Sequence, residues 1–135
     1  MHHGQAEAMS PMIRKSLELA VEAILDAGVN PSELRGSKTG VFAATAPVFS
    51  DVFVLRDTKR RKFRITACST ADISHRISYF LKMRGPSCGI EMDCSGSFIG
   101  LDMANTSLRL GKCDNAIVVA CNLLQHPEVS RELAE

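Results

Sequence analysis

The first part of the chain carries hydrophobic residues at helical spacing. Residues 10–28 therefore predict a helix. Its apolar face comprises Ile13, Leu17, Ala20, Val21 and Ile24. Ser10 is in position to cap the first turn, and Pro11 suits the first helical residue. Gly28 is the residue type that commonly follows the last turn of a helix.

Three short hydrophobic runs predict strands, at residues 41–46, 87–92 and 116–120. The last of them, Ala-Ile-Val-Val-Ala, is the clearest candidate for a buried strand. Such runs are apolar at consecutive positions, which is typical of strands that helices cover on both faces of a parallel sheet. Residues 47–68 show no such pattern, and we expect a long connection there.

Two further helices are predicted between these strands. Residues 71–82 form the first, and residues 96–110 form the second, which Gly111 ends. The residues expected to face the core are Ile73, Ile77, Phe80 and Leu81 in one helix, and Phe98, Leu101, Ala104 and Leu108 in the other. The alternation of strands with helices predicts an α/β fold with parallel strands.

Composition narrows the range of functions. The 135 residues suffice for one domain, and 45% of them are hydrophobic. The net charge of +1 argues against a strongly basic nucleic-acid-binding protein. No apolar run approaches the roughly 20 residues of a membrane span. The first residues resemble neither a secretory signal nor a mitochondrial presequence, so we expect a cytoplasmic protein.

A basic cluster lies in the long connection. It consists of Arg56, Lys59, Arg60, Arg61, Lys62 and Arg64. A binding site for single-stranded nucleic acid usually adds a series of aromatic side chains on which bases stack, and this segment lacks such a series. We therefore expect a solvated loop here, with a small nucleic-acid-binding protein as the alternative.

Cysteine usage indicates free thiols. The five cysteines are Cys68, Cys88, Cys94, Cys113 and Cys121. An odd number without a Cys-x-x-Cys pair argues against a disulfide framework and against a zinc site, so no metal is expected. Most of these thiols, Cys113 and Cys121 among them, are expected to pack as small apolar side chains.

Cys94 differs from the other cysteines in its local sequence. A predicted strand leads into it, and small residues and a helix follow at once. This order resembles the elbow that exposes the serine of hydrolases. The N–H groups at a helix N-terminus favour a thiolate and can hold a developing oxyanion. Cys94 is therefore a candidate nucleophile, although a further buried cysteine remains the alternative.

Several segments, in order along the chain, resemble the β-ketoacyl synthases, which are the condensing domains of fatty acid and polyketide synthases. Residues 93–97 correspond to the segment around the active-site cysteine of that family, usually Ala-Cys-Ser-Ser-Ser. The other matching segments are residues 8–14, 22–28, 34–41, 76–80, 85–87, 111–118 and 122–127. Details such as Gly-Lys-Cys-Asp at 111–114 and Asn-Leu-Leu at 122–124 favour the animal-type multifunctional fatty acid synthase.

The resemblance implies a thiolase-like, layered α/β/α fold, of which residues 1–135 are part of the N-terminal half, incomplete at both ends. It implies that Cys94 is the acyl-thioester nucleophile and that its own N–H is one oxyanion donor. Acyl and malonyl groups would arrive on the phosphopantetheine of an acyl carrier protein domain, with no cofactor bound directly. NADPH would serve only the reductase domains of the parent protein.

The resemblance also implies a homodimer, joined through the strand that precedes Cys94. Two histidines of the family complete the condensing step, and none of His2, His3, His75 and His126 matches them. We therefore expect these residues alone to be inactive in condensation, and the full-length parent to be the acyltransferase.

Departures from the family pattern leave alternatives open. Glu91, Met92, Asp93 and Gly96 replace residues that are usual around the cysteine. Asp93 matters most, because a carboxylate next to Cys94 opposes formation of the thiolate. A catalytically degenerate ketosynthase-like dimerisation or scaffold module, or a polyketide synthase condensing domain, therefore remain alternatives to the fatty acid synthase.

Overall fold

The computed structural model describes residue 6, residues 9–46, 72–92 and 94–123, and residues 127, 131 and 134. Three helices and three strands alternate along these ranges. In order they are α1 (Pro11–Asp26), β1 (Thr39–Thr45), α2 (Asp72–Leu81), β2 (Ser87–Glu91), α3 (Gly96–Arg109) and β3 (Asn115–Cys121). Each predicted element is present, with bounds that differ from the prediction by at most two residues. None of these helices has both the length and the apolar character needed to cross a bilayer.

The three strands form one parallel sheet in the order β2-β1-β3. The central strand β1 is buried along its whole length. Its last residue, Thr45, pairs in register with Glu91 of β2 and with Cys121 of β3. The carboxyl ends of all three strands therefore meet at the same edge of the sheet.

Helices cover both faces of the sheet. On one face, α1 and α2 pack against Val41 and Ala43 of β1. On the other face, α3 packs against Phe42 and Ala44. The alternation of side chains along β1 thus supplies one residue to each layer in turn. The predicted α/β/α layering is confirmed for the described part of the chain.

The predicted core face of α1 is largely correct. Ile13, Ala20 and Ile24 are buried, and Leu17 packs against the same cluster. Ser10 stands at the N-cap, but its side chain makes no capping hydrogen bond. After the helix, Gly28 adopts a φ of 74°, and Val29 N–H donates to the carbonyl of Ile24. This left-handed turn ends α1 as predicted.

The predicted core face of α3 is wrong. Phe98 is 75% exposed and Leu101 is 55% exposed. The residues buried against the sheet are small instead, namely Gly96, Gly100, Ala104 and Ser107. A Cβ atom on Gly100 would lie 3.3 Å from Cγ1 of Val118, so the helix lies too close to the sheet for large side chains. Of the four residues of α3 that are predicted to face the core, only Ala104 is buried.

Three smaller predictions also need correction. Phe80 of α2 is 55% exposed rather than buried, whereas Ile73, Ile77 and Leu81 of that helix are buried as expected. Leu108 of α3 is 41% exposed. Strand β3 is only partly buried, because it has a strand partner on one side alone within the described residues.

Candidate active site

A cavity opens at the edge of the sheet where the three parallel strands end. Its volume is about 540 Å³. The residues that line it are Ala44, Thr45, Ala46, Met92, Cys94, Ser97, Ala120, Cys121 and Asn122. In sheets of this kind, ligands bind outside the carboxyl ends of the strands. The cavity is therefore the first candidate for a functional site.

Cys94 lies between β2 and α3, as the sequence predicts. Its side chain is exposed and lines the cavity. Ser95 stands at the N-cap of α3, and its side chain makes no capping hydrogen bond. The first N–H groups of a helix have no partners within the helix itself. A carbonyl oxygen that becomes negative beside Cys94 can therefore be held by N–H groups of this turn.

Small residues at the start of α3 hold the thiol close to the central strand. A Cβ atom on Gly96 would lie 3.2 Å from Cβ of Ala44 and 3.8 Å from Cβ of Met92. The first turn of α3 therefore packs directly on the end of β1. This contact fixes Cys94 at the mouth of the cavity, so the glycine has a positional role that its sequence context alone did not indicate.

The other cysteines differ in exposure. Cys113 is 2% exposed. Its Sγ packs against Gly40, since a Cβ atom added to that glycine would lie 3.3 Å from the sulfur. Its predicted packing role is consistent with this burial. Cys121 is partly buried but also lines the cavity, which the prediction of a purely packing role did not include. Cys88 is partly buried beside α3, and Cys68 lies outside the described residues.

No described histidine reaches the cavity. His75 lies on α2, on the face of the sheet opposite α3, and it is exposed. His2, His3 and His126 lie outside the described ranges, as do Asp93 and the basic cluster at residues 56–64. Over the described ranges, His, Cys, Asp and Glu form no group of three or more that could hold a metal ion.

Sequence reasoning missed three polar residues of the cavity wall, namely Thr45, Ser97 and Asn122. Thr45 and Asn122 stand at the ends of neighbouring parallel strands. Ser97 follows Cys94 in the first turn of α3. The signal that could have found the first two is their place at or just after the carboxyl end of a predicted strand.

Comparisons with known proteins agree with this geometry. The family model of the β-ketoacyl synthase N-terminal domain matches residues 1–135. The chain is 38% identical over 131 residues to the fatty acid synthase of the goose Anser anser anser, covering 96% of this chain and 37% of that protein. It is 37% identical over 126 residues to the highly reducing polyketide synthase dmxL2 of Cryptosporiopsis sp. (strain 8999), covering 93% of this chain and 5% of that protein.

Solved structures show the same fold. The ketosynthase from module 6 of the bacillaene synthase of Bacillus subtilis 168 matches 96% of this chain and 21% of its own chain, with a TM-score of 0.82 and 30% identity. The oxazolomycin ketosynthase domain OzmH KS7 of Streptomyces albus JA3453 matches 99% of this chain and 24% of its own, with a TM-score of 0.83 and 29% identity.

The predicted thiolase-like fold is thereby confirmed. The chain spans about a third or less of the length of these relatives. The family model matches residues 1–135, and the structure places a cysteine at the start of α3 beside a cavity at the edge of the sheet. This chain therefore belongs to the β-ketoacyl synthases, the condensing domains that fatty acid and polyketide synthases share.

Proposed function

We propose that Cys94 accepts an acyl group as the first step of a decarboxylative condensation. The observation that carries this proposal is the exposed Cys94 thiol at the N-terminus of α3, inside the cavity. The acyl group would come as a thioester on the phosphopantetheine of an acyl carrier protein domain. No cofactor would be bound directly, and NADPH would serve reductase domains elsewhere in the parent protein.

In the transfer step, the Cys94 thiol gives up its proton and its sulfur attacks the thioester carbonyl carbon, so that the carbonyl oxygen becomes negative. The backbone N–H of Cys94 is one donor to that oxyanion. When the carbonyl re-forms, the bond to the carrier sulfur breaks, and that sulfur takes up one proton, in balance with the proton that Cys94 gave up. The product is an acyl group on Cys94 and a free carrier.

The condensing step requires more than these residues. Malonyl thioester loses carbon dioxide, its carbanion attacks the acyl carbonyl on Cys94, and the Cys94 sulfur leaves as the new carbon–carbon bond forms. Two histidines support this step in the family, and among the described residues none lines the cavity. We therefore assign the complete reaction to the full-length protein, as an acyltransferase of the 3-oxoacyl synthase type in fatty acid biosynthesis.

Acyl loading tests the first step directly. The full-length protein is incubated with an octanoyl thioester, and the Cys94 peptide is weighed by mass spectrometry. We expect an octanoyl adduct on Cys94 in the native protein and none in Cys94→Ala. The matched control Cys113→Ala changes a buried thiol outside the cavity and should still load. Absence of the adduct from the native protein would refute the proposal.

One feature of the sequence favours a second candidate function. Asp93, which directly precedes Cys94 in the sequence, departs from the residue that is usual next to the cysteine of this family. A degenerate, ketosynthase-like scaffold would fail to load any acyl group and would still dimerise. A polyketide synthase domain would load Cys94 as well as the fatty acid synthase does. The released product of the full-length protein distinguishes a polyketide synthase from a fatty acid synthase, because a fatty acid synthase releases a saturated chain.

We also propose that the parent is a homodimer joined through β2. Among the described residues, β2 has a strand neighbour on one side only, and Gly89 on it is exposed. An unpaired strand edge readily pairs with a second chain. Size-exclusion chromatography with light scattering should give twice the mass of one full-length chain. A monomer at micromolar concentration would contradict this assignment.

A further inference from the structure

Among the described residues that line the cavity, Met92 is the one with a large apolar side chain. The others are alanines, cysteines and polar residues. Met92 directly follows the last residue of β2 and is 45% exposed. Because it lines the cavity together with Cys94, much of its side chain is open to the space beside the thiol.

Met92 lies on the same side of the sheet as Cys94. Ile90, two residues earlier in the chain, packs on the face of the sheet that α3 covers. Side chains two residues apart along a strand point to the same face. In the first turn of α3, a Cβ atom on Gly96 would lie 3.8 Å from Cβ of Met92. Met92 therefore packs beside the turn that follows Cys94.

The short separation along the chain brings Met92 within reach of an acyl group on Cys94. Two residues of extended backbone span at most about 7 Å, so the Cα atoms of Met92 and Cys94 are no further apart than that. An acyl chain that extends from the sulfur into the cavity therefore passes Met92 with its first carbons.

A methionine in this position suits an alkyl chain. The Met92 side chain is unbranched and has three rotatable bonds, so it can follow the surface of a chain that lies against it. An alkyl group that covers the exposed part of this side chain removes apolar surface from water on both sides of the contact, which favours binding. An acetyl group is too short to make this contact.

We infer that Met92 determines acyl specificity, by packing against the first carbons of an unsubstituted alkyl chain on Cys94. This inference rests on the proposed acyl loading of Cys94. The preferred substrate class is the thioester of a straight-chain alkyl acid, over the acetyl thioester. Met92 is one of the positions at which this chain departs from the family pattern, so we expect the contact to be a property of this chain.

A competition experiment tests the inference. The full-length protein receives equal concentrations of butanoyl and acetyl thioesters of the same short thiol, and the two adducts on Cys94 are quantified by mass spectrometry. Butanoyl is short, so its contacts stay close to Cys94. One fully buried methylene contributes about fourfold, and the two extra methylenes of butanoyl therefore give a preference of roughly tenfold when most of their surface is covered. Met92→Ala should reduce this preference to about threefold or less.

Three further variants separate the apolar contact from folding and from cavity volume. Met92→Leu keeps a large apolar side chain and should keep most of the preference. Met92→Gln keeps the length of the side chain but removes its apolar character, so it should lower the preference as Met92→Ala does. Met103→Ala makes the same truncation at a partly buried methionine of α3 outside the cavity, and should leave the preference unchanged. Acetyl loading at the native rate shows that each variant is folded.

The outcomes separate the inference from the proposed function. An undiminished preference for butanoyl in Met92→Ala and Met92→Gln, or an equal fall in Met103→Ala, would overturn the inference while leaving the proposed function standing. Failure of both thioesters to load Cys94 of the native protein would overturn the proposed function, and the inference with it.

Discussion

The thiols of Cys94 and Cys113 should differ about a hundredfold in their rates of alkylation, a factor that follows from their burial and from the hydrogen bonds around Cys113. Cys94 is exposed at the cavity, whereas Cys113 is 2% exposed. Iodoacetamide therefore reaches Cys94 directly. It reaches Cys113 only after the chain around that residue opens, because a buried side chain is shielded from reagents in the closed state.

Three hydrogen bonds tie the chain around Cys113. Lys112 N–H donates to the carbonyl of Ser107 at 2.8 Å, and Asp114 N–H donates to that of Lys38 at 2.9 Å. The ammonium group of Lys38 donates to the carbonyl of Gly111 at 2.7 Å. At about 1 kcal/mol each, breaking them costs about 3 kcal/mol. This lowers the rate of alkylation at Cys113 by about a hundredfold relative to Cys94.

The assay is a time course of iodoacetamide labelling on the folded protein, read by peptide mass mapping. Cys94 should be labelled first, Cys88 and Cys121 more slowly because they are partly buried, and Cys113 last. Cys94→Ser should abolish the fast phase, and Cys113→Ser should leave it unchanged. Labelling of Cys113 within tenfold of the Cys94 rate, or preferential labelling of Cys68, would refute the reasoning.

Three other predictions concern packing, association and activity. Gly85→Ala should destabilise the purified chain by about 3 kcal/mol in urea unfolding, because the new Cβ would overlap the backbone of Thr39. Gly36→Ala is the control and should cost about 1 kcal/mol, because its Cβ would meet no other atom and only the φ of 77° is unfavourable for alanine. Equal losses of stability in the two variants would contradict the overlap. The 135-residue chain should self-associate, as measured by light scattering. Phe98→Ser should weaken this self-association more than Tyr79→Ser does, because Phe98 belongs to the exposed apolar side of α3. Equal effects of the two substitutions would argue against that surface as the site of association. The same chain should make no condensation product from acyl and malonyl thioesters, and any product detected by mass spectrometry would show that the two family histidines are dispensable.

How far the sequence predicts this fold depends on the element. For α1 the periodic pattern is largely sufficient, since Ile13, Ala20 and Ile24 are buried as predicted, although Leu19 and Leu25 of the same helix are exposed. For α3 the same rule fails, because the side that packs on the sheet carries Gly96, Gly100 and Ala104. Hydrophobicity ranks these small residues low, although they alone allow the helix to approach the strands closely. Their spacing of four residues was the available signal.

Strand β3 shows a second limit. Its run of apolar residues correctly predicts a strand, and it pairs with β1 over its whole length. Its place in the sheet cannot be read from that run, because order is set by pairing between segments that are distant along the chain. Over the described residues β3 lies at one end of the order and β1 at the centre. The most apolar run is therefore not the most buried strand.

In the candidate site, too, residues placed by local sequence could be predicted, whereas residues placed by pairing between distant strands could not. Cys94 could be located from sequence because the features that place it are local, namely a strand, small residues and the start of a helix. The wall opposite it could not, because Thr45 and Asn122 reach the cavity only when β1 and β3 pair in parallel and in register.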